Sequence, residues 1–488
     1  MDTLAFEHHL TSPQGHGRLP SDGFAATAAG YACCDEISVS VEIRGDRVED
    51  AGFEARGCGA ATAAGSAVVT LVRGRPVLDA ARVGAGTVST ELGGLSAGKH
   101  HAAELAADAL ARALGAAARA RVQLSRASDG RTLVAMSGGV DSAVAALLEG
   151  APREAVAATL ELWSDPENDG ERSCCSASAV AHARALAHSI GLPHFTIDLR
   201  DEFRAGVVEP FVAGYARGET PNPCVGCNGH VRLDAMLELA DRLGCDWLAT
   251  GHYARTVEHD DERGPLLRVA ADPAKDQTYM LAALSPRSLT RLRFPIGALT
   301  KPEVRALAAA AGLPVADKAD SQDLCFLAGT DRARFLARHG KLDDRPGPIV
   351  DRAGKVLGRH SGQHRFTVGQ RRGLGVAAGE PLYVLDKDAV GNRVTVGPAA
   401  ALRTQSVALR GARLHRAGCR IDRVKLRYRA KPLAARLLGD PPAGRHRSLE
   451  LELSGFAEAA APGQVACLMD GERVIGWGTI ARRPRSSR

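Results

Sequence analysis

Leu133-Val134-Ala135-Met136-Ser137-Gly138-Gly139-Val140-Asp141-Ser142 is the stretch on which the reading of this chain turns. A short apolar run feeds a loop of small residues, and the Ala/Leu-rich stretch Ala143 to Leu148 follows. That layout predicts strand, loop and helix, with bare backbone N–H groups and two hydroxyls at the helix N-terminus. Such a nest attracts anionic phosphate, because unpaired N–H groups and the helix dipole both favour negative charge. Gly138 and Gly139 permit a close backbone approach. The lysine ending of the Walker loop is missing, so the phosphate site is of another kind. An ordinary strand-to-helix turn is the plain alternative. The Asp and Ser set directly after an apolar strand favour the phosphate reading.

Outward from this loop, strands expected at 132–136, 155–160, 194–198 and 246–250 alternate with helices at 141–149, 176–190, 201–217 and 229–243. This alternation predicts an open, doubly wound parallel α/β sheet with its ligand at the strand C-termini. Upstream, Ile37 to Ile43 alternates with period two and reads as a strand, and Val48 to Arg56 as its hairpin partner. Ala60–Val72 and Ala102–Leu114 read as helices, which makes residues 23–115 an α+β domain. Residues 1–22 are polar and expected to be disordered, and 116–130 form a linker. The sheet domain spans 131–285, and a small, mostly helical central domain spans 286–375. From 376 to 488 short strands separated by Gly, Pro and Asp turns suggest a small β-barrel. A chain of 488 residues has room for this many domains.

No apolar run reaches the roughly 18–20 residues of a membrane span. Met1 to Leu10 carries acids and histidines, so it is no signal peptide, and a cytoplasmic protein is expected. The net charge of +6 is uneven, with arginine concentrated in 401–448 and in Arg482 to Arg488. That distribution suits a polyanionic partner, and equally a solvated Arg-rich surface.

Eleven cysteines in such a chain point to metal or sulfur chemistry, or to buried small residues, rather than a disulfide scaffold. Cys245, Cys419 and Cys467 stand alone and read as structural. Thr220-Pro221-Asn222-Pro223-Cys224-Val225-Gly226-Cys227-Asn228 differs: two prolines fix the backbone before a Cys-x-x-Cys at the mouth of a helix. A helix N-terminus lowers a thiol pKa and favours the thiolate. A redox dithiol, half a zinc site and a sulfur-handling thiolate all fit. The lack of a second such pair disfavours a four-cysteine zinc site. A further cysteine lies in Asp320-Ser321-Gln322-Asp323-Leu324-Cys325-Phe326. In Glu171-Arg172-Ser173-Cys174-Cys175-Ser176, Ser173 or Ser176 is expected to cap the next helix, with His182 and His188 on its surface.

The phosphate loop resembles that of the N-type ATP pyrophosphatases, which adenylate a carbonyl oxygen and release pyrophosphate. With Ala249-Thr250-Gly251-His252-Tyr253, Lys275-Asp276-Gln277, Gly369-Gln370-Arg371-Arg372-Gly373-Leu374-Gly375 and Lys425-Leu426-Arg427-Tyr428-Arg429, the ordered motifs resemble the tRNA-specific 2-thiouridylase (MnmA) family. The likeness runs from about residue 131 to the C-terminus. It implies an adenylation domain, a central domain and a C-terminal barrel. It also implies an enzyme that thiolates the wobble uridine of tRNA. ATP would bind at Ala135, Met136, Ser137, Gly138, Gly139, Val140, Asp141 and Ser142, with Leu160 and Gly251 beside the adenine and ribose. Asp141 or nearby acids would hold Mg²⁺ on the phosphates. Asn222, Pro223 and Cys224 would line the base pocket, and His252, Lys275, Asp276, Gln277, Arg427, Tyr428 and Gln464 would contact tRNA. In a persulfide relay, Cys325 carries the sulfur and Cys227 releases it, forming a Cys227–Cys325 disulfide. Many family members have Asp at the position of Cys224. Cys224, Cys227 and Cys325 also fit an iron–sulfur cluster with one open iron site. Relay and cluster both stay open. A cysteine desulfurase or another persulfide donor would supply the sulfur.

Residues 24–114 lie outside that likeness. Cys33-Cys34-Asp35, Gly57-Cys58-Gly59-Ala60 and Lys99-His100-His101-Ala102 resemble the iron–sulfur scaffold family (NifU-like/IscU-like). There Cys33, Asp35, Cys58 and His101 would surround one Zn²⁺ or cluster. Ala102 stands where the family has a third cysteine, and Cys34 where it usually has Gly. Two other classes compete with the thiouridylase reading. A non-catalytic iron–sulfur or sulfur carrier has no need of the loop at 137–142. Another N-type ligase has no need of the cysteine loop or the basic barrel.

Overall fold

A computed structural model describes residues 3–30, 34–151, 153–165, 176–258, 263–318, 324–327 and 329–482. The chain forms two compact units, the first made of 1–200, 235–252 and 291–326, the second of 201–234, 253–290 and 327–488.

The first unit opens with helix α1 (Thr3–Thr11), where disorder was expected. His9 explains the difference: its Nδ1 lies 2.8 Å from Ser66 Oγ, and the ring is buried. Strands β1 (Phe24–Ala29), β2 (Glu36–Arg44) and β3 (Arg47–Arg56) form an antiparallel sheet in that order. The alternation of β2 buries Ile37, Val39, Val41 and Ile43 on one face. Helix α2 (Gly59–Val72) packs on β3, with Gly65 flat against Phe53. A Cβ at Gly65 would stand 2.1 Å from the Phe53 ring. Short α3 (Val77–Ala80) and α4 (Ala85–Glu91) lead to α5, which runs from His100 to Ala120 and so takes up the start of the expected linker.

Strands β4 (Arg131–Ala135), β5 (Glu154–Glu161), β6 (His194–Asp198) and β7 (Trp247–Thr250) are parallel. With the short strand Leu292–Arg293 beside β7, the order is Leu292–Arg293, β7, β4, β5, β6. Helix α6 (Val140–Gly150) follows β4, and α7 (Ala177–Ser189) precedes β6. Chain direction away from β4 reverses between β5 and β7, the position where doubly wound sheets bind ligands. The strand Leu292–Arg293 and the helix Lys301–Ala310 therefore belong with this sheet, not with a separate module starting at 286.

The N-terminal α+β part closes the β6 edge. Ala81 O accepts the His194 N–H at 2.9 Å. Gly115 leaves room for Thr196 O, which a Cβ there would meet at 1.9 Å, and Arg119 donates to Asp198 O. An exposed parallel edge invites mispairing, and this contact removes it. Behind it lies a buried charge network. Asp108 binds Arg184 and Arg112, and Arg112 also binds Glu161. Both arginines hold the Asp108 carboxyl below its usual range against the opposing cost of burial. His188, expected on the surface, reaches Ala81 O at 3.0 Å, while Ser176 does cap α7 through the Ala179 N–H.

In the second unit, Gly347–Val350, Val356–His360, Tyr383–Asp388 and Arg393–Gly397 form one four-stranded sheet around Ile349, Val384, Val394 and Val396. The last two of these strands were expected in the barrel; alternation specifies a strand's faces but not its partner. Helix Arg332–Gly340 lies in this unit too. The barrel itself has six strands: Thr404–Leu414, Gly444–Ala457, Leu433–Leu437, Arg423–Lys425, Val465–Asp470 and Arg473–Ile480, the first pairing with the last. A hairpin of Arg255–Val257 and Leu266–Arg268 extends the sheet from Arg473–Ile480.

Removing Asp108 takes the carboxylate from the buried Arg184 and one of two from the partly buried Arg112. Asp108→Ala is expected to cost ~3 kcal/mol. Asp79→Ala, which breaks the exposed pair with Arg82, should cost ~0.5 kcal/mol. The shift of the denaturant midpoint of the first transition compares the two.

Candidate functional site

The loop after β4 is held open by its own small side chains. Ser142 Oγ donates to Gly139 O at 3.0 Å and accepts the Ser137 N–H at 3.1 Å. Gly138 has φ +69°, a left-handed conformation that suits glycine. Gly139 is the N-cap of α6, so the helix begins at Val140 and puts Asp141 and Ser142 in its first turn. Met136 N–H is tied to Ala158 O across the sheet at 2.8 Å, and Leu160 is buried further along β5. Gly251, at the end of β7, touches the loop directly: a Cβ there would lie 2.6 Å from Ser142 N and 2.7 Å from Asp141 C. His252 follows, its Nδ1 2.9 Å from Thr250 Oγ1.

Two lysines that the sequence reading missed come to the same loop. Lys301 is almost completely buried, and its Nζ lies 2.7 and 2.8 Å from the two carboxylate oxygens of Asp141. Lys318 donates its Nζ to Gly138 O at 3.0 Å. Lys301 opens a helix started by a Thr300–Glu303 capping box, a signal that locates the helix but not its target. The loop thus combines helix-end N–H groups with two ammonium groups, an arrangement suited to a polyphosphate. Asp141 is engaged by Lys301, which does not fit it to hold Mg²⁺.

In the second unit, Asn222 caps the helix Pro223–Cys227: its Oδ1 accepts the Cys224 N–H at 3.1 Å, and Pro223 takes the first helical position. Cys224 therefore sits in the first turn, whereas Cys227 ends that helix and a π-helical turn, Asn228–Arg232, follows. Cys227 is buried and Cys224 partly so. Asn228 Nδ2 donates to Met280 O at 3.2 Å. Residues expected to meet tRNA divide into two groups. Arg427 is exposed and Tyr428 half-buried, its ring 6.4 Å from that of Tyr279. Asp276 is instead buried, accepting from Thr278 Oγ1 at 2.9 Å, Ala270 N at 3.1 Å and Lys425 Nζ at 3.3 Å. Gln277 accepts the Tyr253 N–H at 2.8 Å, Lys275 is partly exposed, and Gln464 Nε2 donates to Thr220 O at 2.6 Å.

Cys325 begins the 3-10 turn Cys325–Leu327 and is partly buried. Residues 320–323, Cys33, Cys174 and Cys175 lie outside the described residues. Cys245 and Cys467 are buried, which pushes each thiol up to about 12, in keeping with a structural role. Cys419 is exposed instead, its N–H held by Asp440.

The N-terminal α+β part gathers Asp35, Cys58 and His101, whose ligand atoms lie within 4.8 Å of one another. Asp35 Oδ2 is 3.0 Å from Cys58 Sγ and 2.8 Å from His101 Nε2. Burial opposes the charge on Asp35, but hydrogen bonds from the Cys58 thiol and amide and from His101 prevail and hold its carboxyl below the usual range. Gly57 makes the approach feasible, since a Cβ there would stand 2.0 Å from Asp35 Oδ1. A carboxylate, a thiol and an imidazole at this spacing fit a transition metal. Cys34 has φ +54°, in keeping with a position where glycine is usual, and Ala102 is completely buried.

Family models cover most of the chain. The NifU-like N terminal domain matches residues 5–122, the tRNA methyl transferase HUP domain 130–329, and the tRNA methyl transferase PRC-barrel domain 333–398. The Bifunctional protein NifU/MnmA of Rubrobacter xylanophilus is 43% identical over 489 residues, covering 97% of each chain. This chain belongs to the bifunctional NifU/MnmA family. The tRNA-specific 2-thiouridylase MnmA of Chloroflexus aurantiacus is 44% identical over 362 residues, 72% of this chain and 98% of that one. Among solved structures, the U34-tRNA thiolase NcsA of Methanococcus maripaludis is 17% identical with a TM-score of 0.26, over 44% of this chain and 66% of that one.

Lys301 and Lys318 bring positive charge to a loop whose helix-end N–H groups suit an anion. Lys301→Met should weaken ATP binding about tenfold. Gly251→Ala, whose Cβ meets backbone rather than a flexible side chain, should do so at least as strongly. Equilibrium dialysis with labelled ATP measures both.

Proposed function

We propose that this protein is an ATP-dependent tRNA sulfurtransferase that converts the wobble uridine to 2-thiouridine. The observation that carries the reading is the phosphate loop 137–142, packed against Gly251 and furnished with Lys301 and Lys318, in a chain that also holds the Cys224–Cys227 loop. The triphosphate would lie on the loop and its two lysines. The 2-carbonyl oxygen of uridine attacks the α-phosphorus, and pyrophosphate leaves. A ring oxygen is a poor leaving group, and adenylation turns it into the oxygen of AMP. Sulfur then attacks C2, and AMP departs with that oxygen.

The base must leave the stacked anticodon loop to be reached. Asn222, Pro223 and Cys224 are proposed to line its pocket, with His252, Lys275, Asp276, Gln277, Arg427, Tyr428 and Gln464 toward tRNA. Phosphate contacts by the exposed basic side chains would make binding weaken with salt. Cys227 and Cys325 are the proposed sulfur-handling thiols. A persulfide on Cys325, delivered by a cysteine desulfurase or an equivalent donor, yields its outer sulfur when Cys227 attacks. The resulting disulfide needs a thiol reductant to reset. A cluster held by Cys224, Cys227 and Cys325 is the second reading, favoured by the cysteine at 224. Asp35, Cys58 and His101 would hold a metal or cluster in the N-terminal part. The cytoplasm, where tRNA is modified, is the proposed location.

Cys227→Ser should abolish 2-thiouridine formation on unmodified tRNA supplied with ATP and a sulfur source, while ATP affinity stays unchanged. Nucleoside analysis by mass spectrometry reads the product, and retained thiolation contradicts the role of Cys227. Metal and sulfide analysis after anaerobic purification separates the two sulfur readings: iron and sulfide lost on changing Cys224 to Asp mean a cluster.

A further inference from the structure

The cysteine loop hangs from Glu219 and Thr220, which other parts of the second unit hold by several hydrogen bonds. Thr220 N–H donates to Pro462 O at 2.8 Å, and Thr220 O accepts from Gln464 Nε2 at 2.6 Å. One residue earlier, Glu219 O accepts from Lys387 Nζ at 3.3 Å, and Arg410 holds the Glu219 carboxylate at 2.9 and 3.0 Å. Gly463 lies flat against these two residues: its φ is +91°, and a Cβ would meet Glu219 Cβ at 2.9 Å and Thr220 N at 3.0 Å. Lys387 is itself buried and also donates to Phe366 O at 2.8 Å.

Only Pro221 and the Asn222 cap separate Thr220 from the helix, which opens on Pro223 and carries both thiols. Pro221 and Pro223 each fix φ, so few torsions between Thr220 and Cys224 are soft. A displacement at Thr220 is therefore passed on to Cys224 and Cys227 rather than absorbed. The gripping groups come from the barrel turn 462–464 and from the strands Thr404–Leu414 and Tyr383–Asp388, none of which carries a thiol of the loop. We propose that Gln464 is a positioning residue that, with Lys387, sets the cysteine loop for reaction, so that the barrel acts on the thiols as well as on tRNA.

The proposal rests on the reading of Cys227 as the reacting thiol. Its test uses the full chain and Gln464→Glu, which keeps the shape and replaces the donor to Thr220 O by an acceptor. Without tRNA or ATP, iodoacetamide labelling of Cys224 and Cys227, read by peptide mass spectrometry, should change about threefold or more. At saturating tRNA, where any loss of tRNA affinity is overcome, the single-turnover thiolation rate should still fall about tenfold. Gln464→Met, which also removes the donor, should behave alike, and Lys387→Met should move the labelling in the same direction. Unchanged labelling with a raised KM for tRNA overturns the proposal and leaves Gln464 as a tRNA contact only. Continued thiolation by Cys227→Ser instead overturns the reading of Cys227, and the labelling result still stands or falls separately.

Discussion

Gly251 touches the backbone of Asp141 and Ser142, and that contact needs a residue with no side chain. It joins the ends of β7 and β4 at the point where the sheet reverses its winding. The helix α6 then starts at Val140, and its N–H groups face outward from the sheet's C-terminal edge. Lys301 and Lys318 reach the loop only because Leu292–Arg293 pairs with β7 and brings the following helix alongside. A bulkier residue at 251 would push the phosphate loop away from all of these groups together.

The N-terminal α+β part is built onto the same unit by a different interaction. Its long helix α5 carries His101 at one end and Asp108, Arg112 and Arg119 further along. From His101 to Arg112 is 11 residues, or about 16 Å at helical rise. The helix therefore ties the Asp35–Cys58–His101 cluster to the β5 and β6 edge of the adenylation sheet. Buried ion pairs add little net stability, but breaking one is costly, so the network favours one docking arrangement over others. A scaffold tethered by a slack linker would have neither the buried charges nor the backbone contact at His194.

Much of this was legible from residue order. Strand and helix spans around the phosphate loop follow from apolar periodicity, and the structure matches them to within a residue or two at most ends. The Asp35, Cys58 and His101 cluster followed from residue types and spacing matched to a scaffold family, and the three side chains do converge. Other features were not legible. The helix at Thr3–Thr11 depends on a distant partner, Ser66, and short polar segments without their partner read as disorder. The strands Tyr383–Asp388 and Arg393–Gly397 look like any barrel strand, because pairing is settled by which apolar faces meet.

The sequence alone determined the chemistry available: a small-residue loop after an apolar strand, cysteines in a proline-fixed turn, and an Asp, Cys and His set in the N-terminal part. Those are local properties, set by neighbours along the chain. Tertiary structure decided which distant groups serve each site. It placed Lys301 against Asp141, 160 residues apart in sequence, and turned Gln464 toward Thr220, 244 residues away. It also buried Asp276, which residue type alone marks as exposed. Such assignments depend on packing and charge compensation across the fold, and no periodicity or spacing in the chain encodes them.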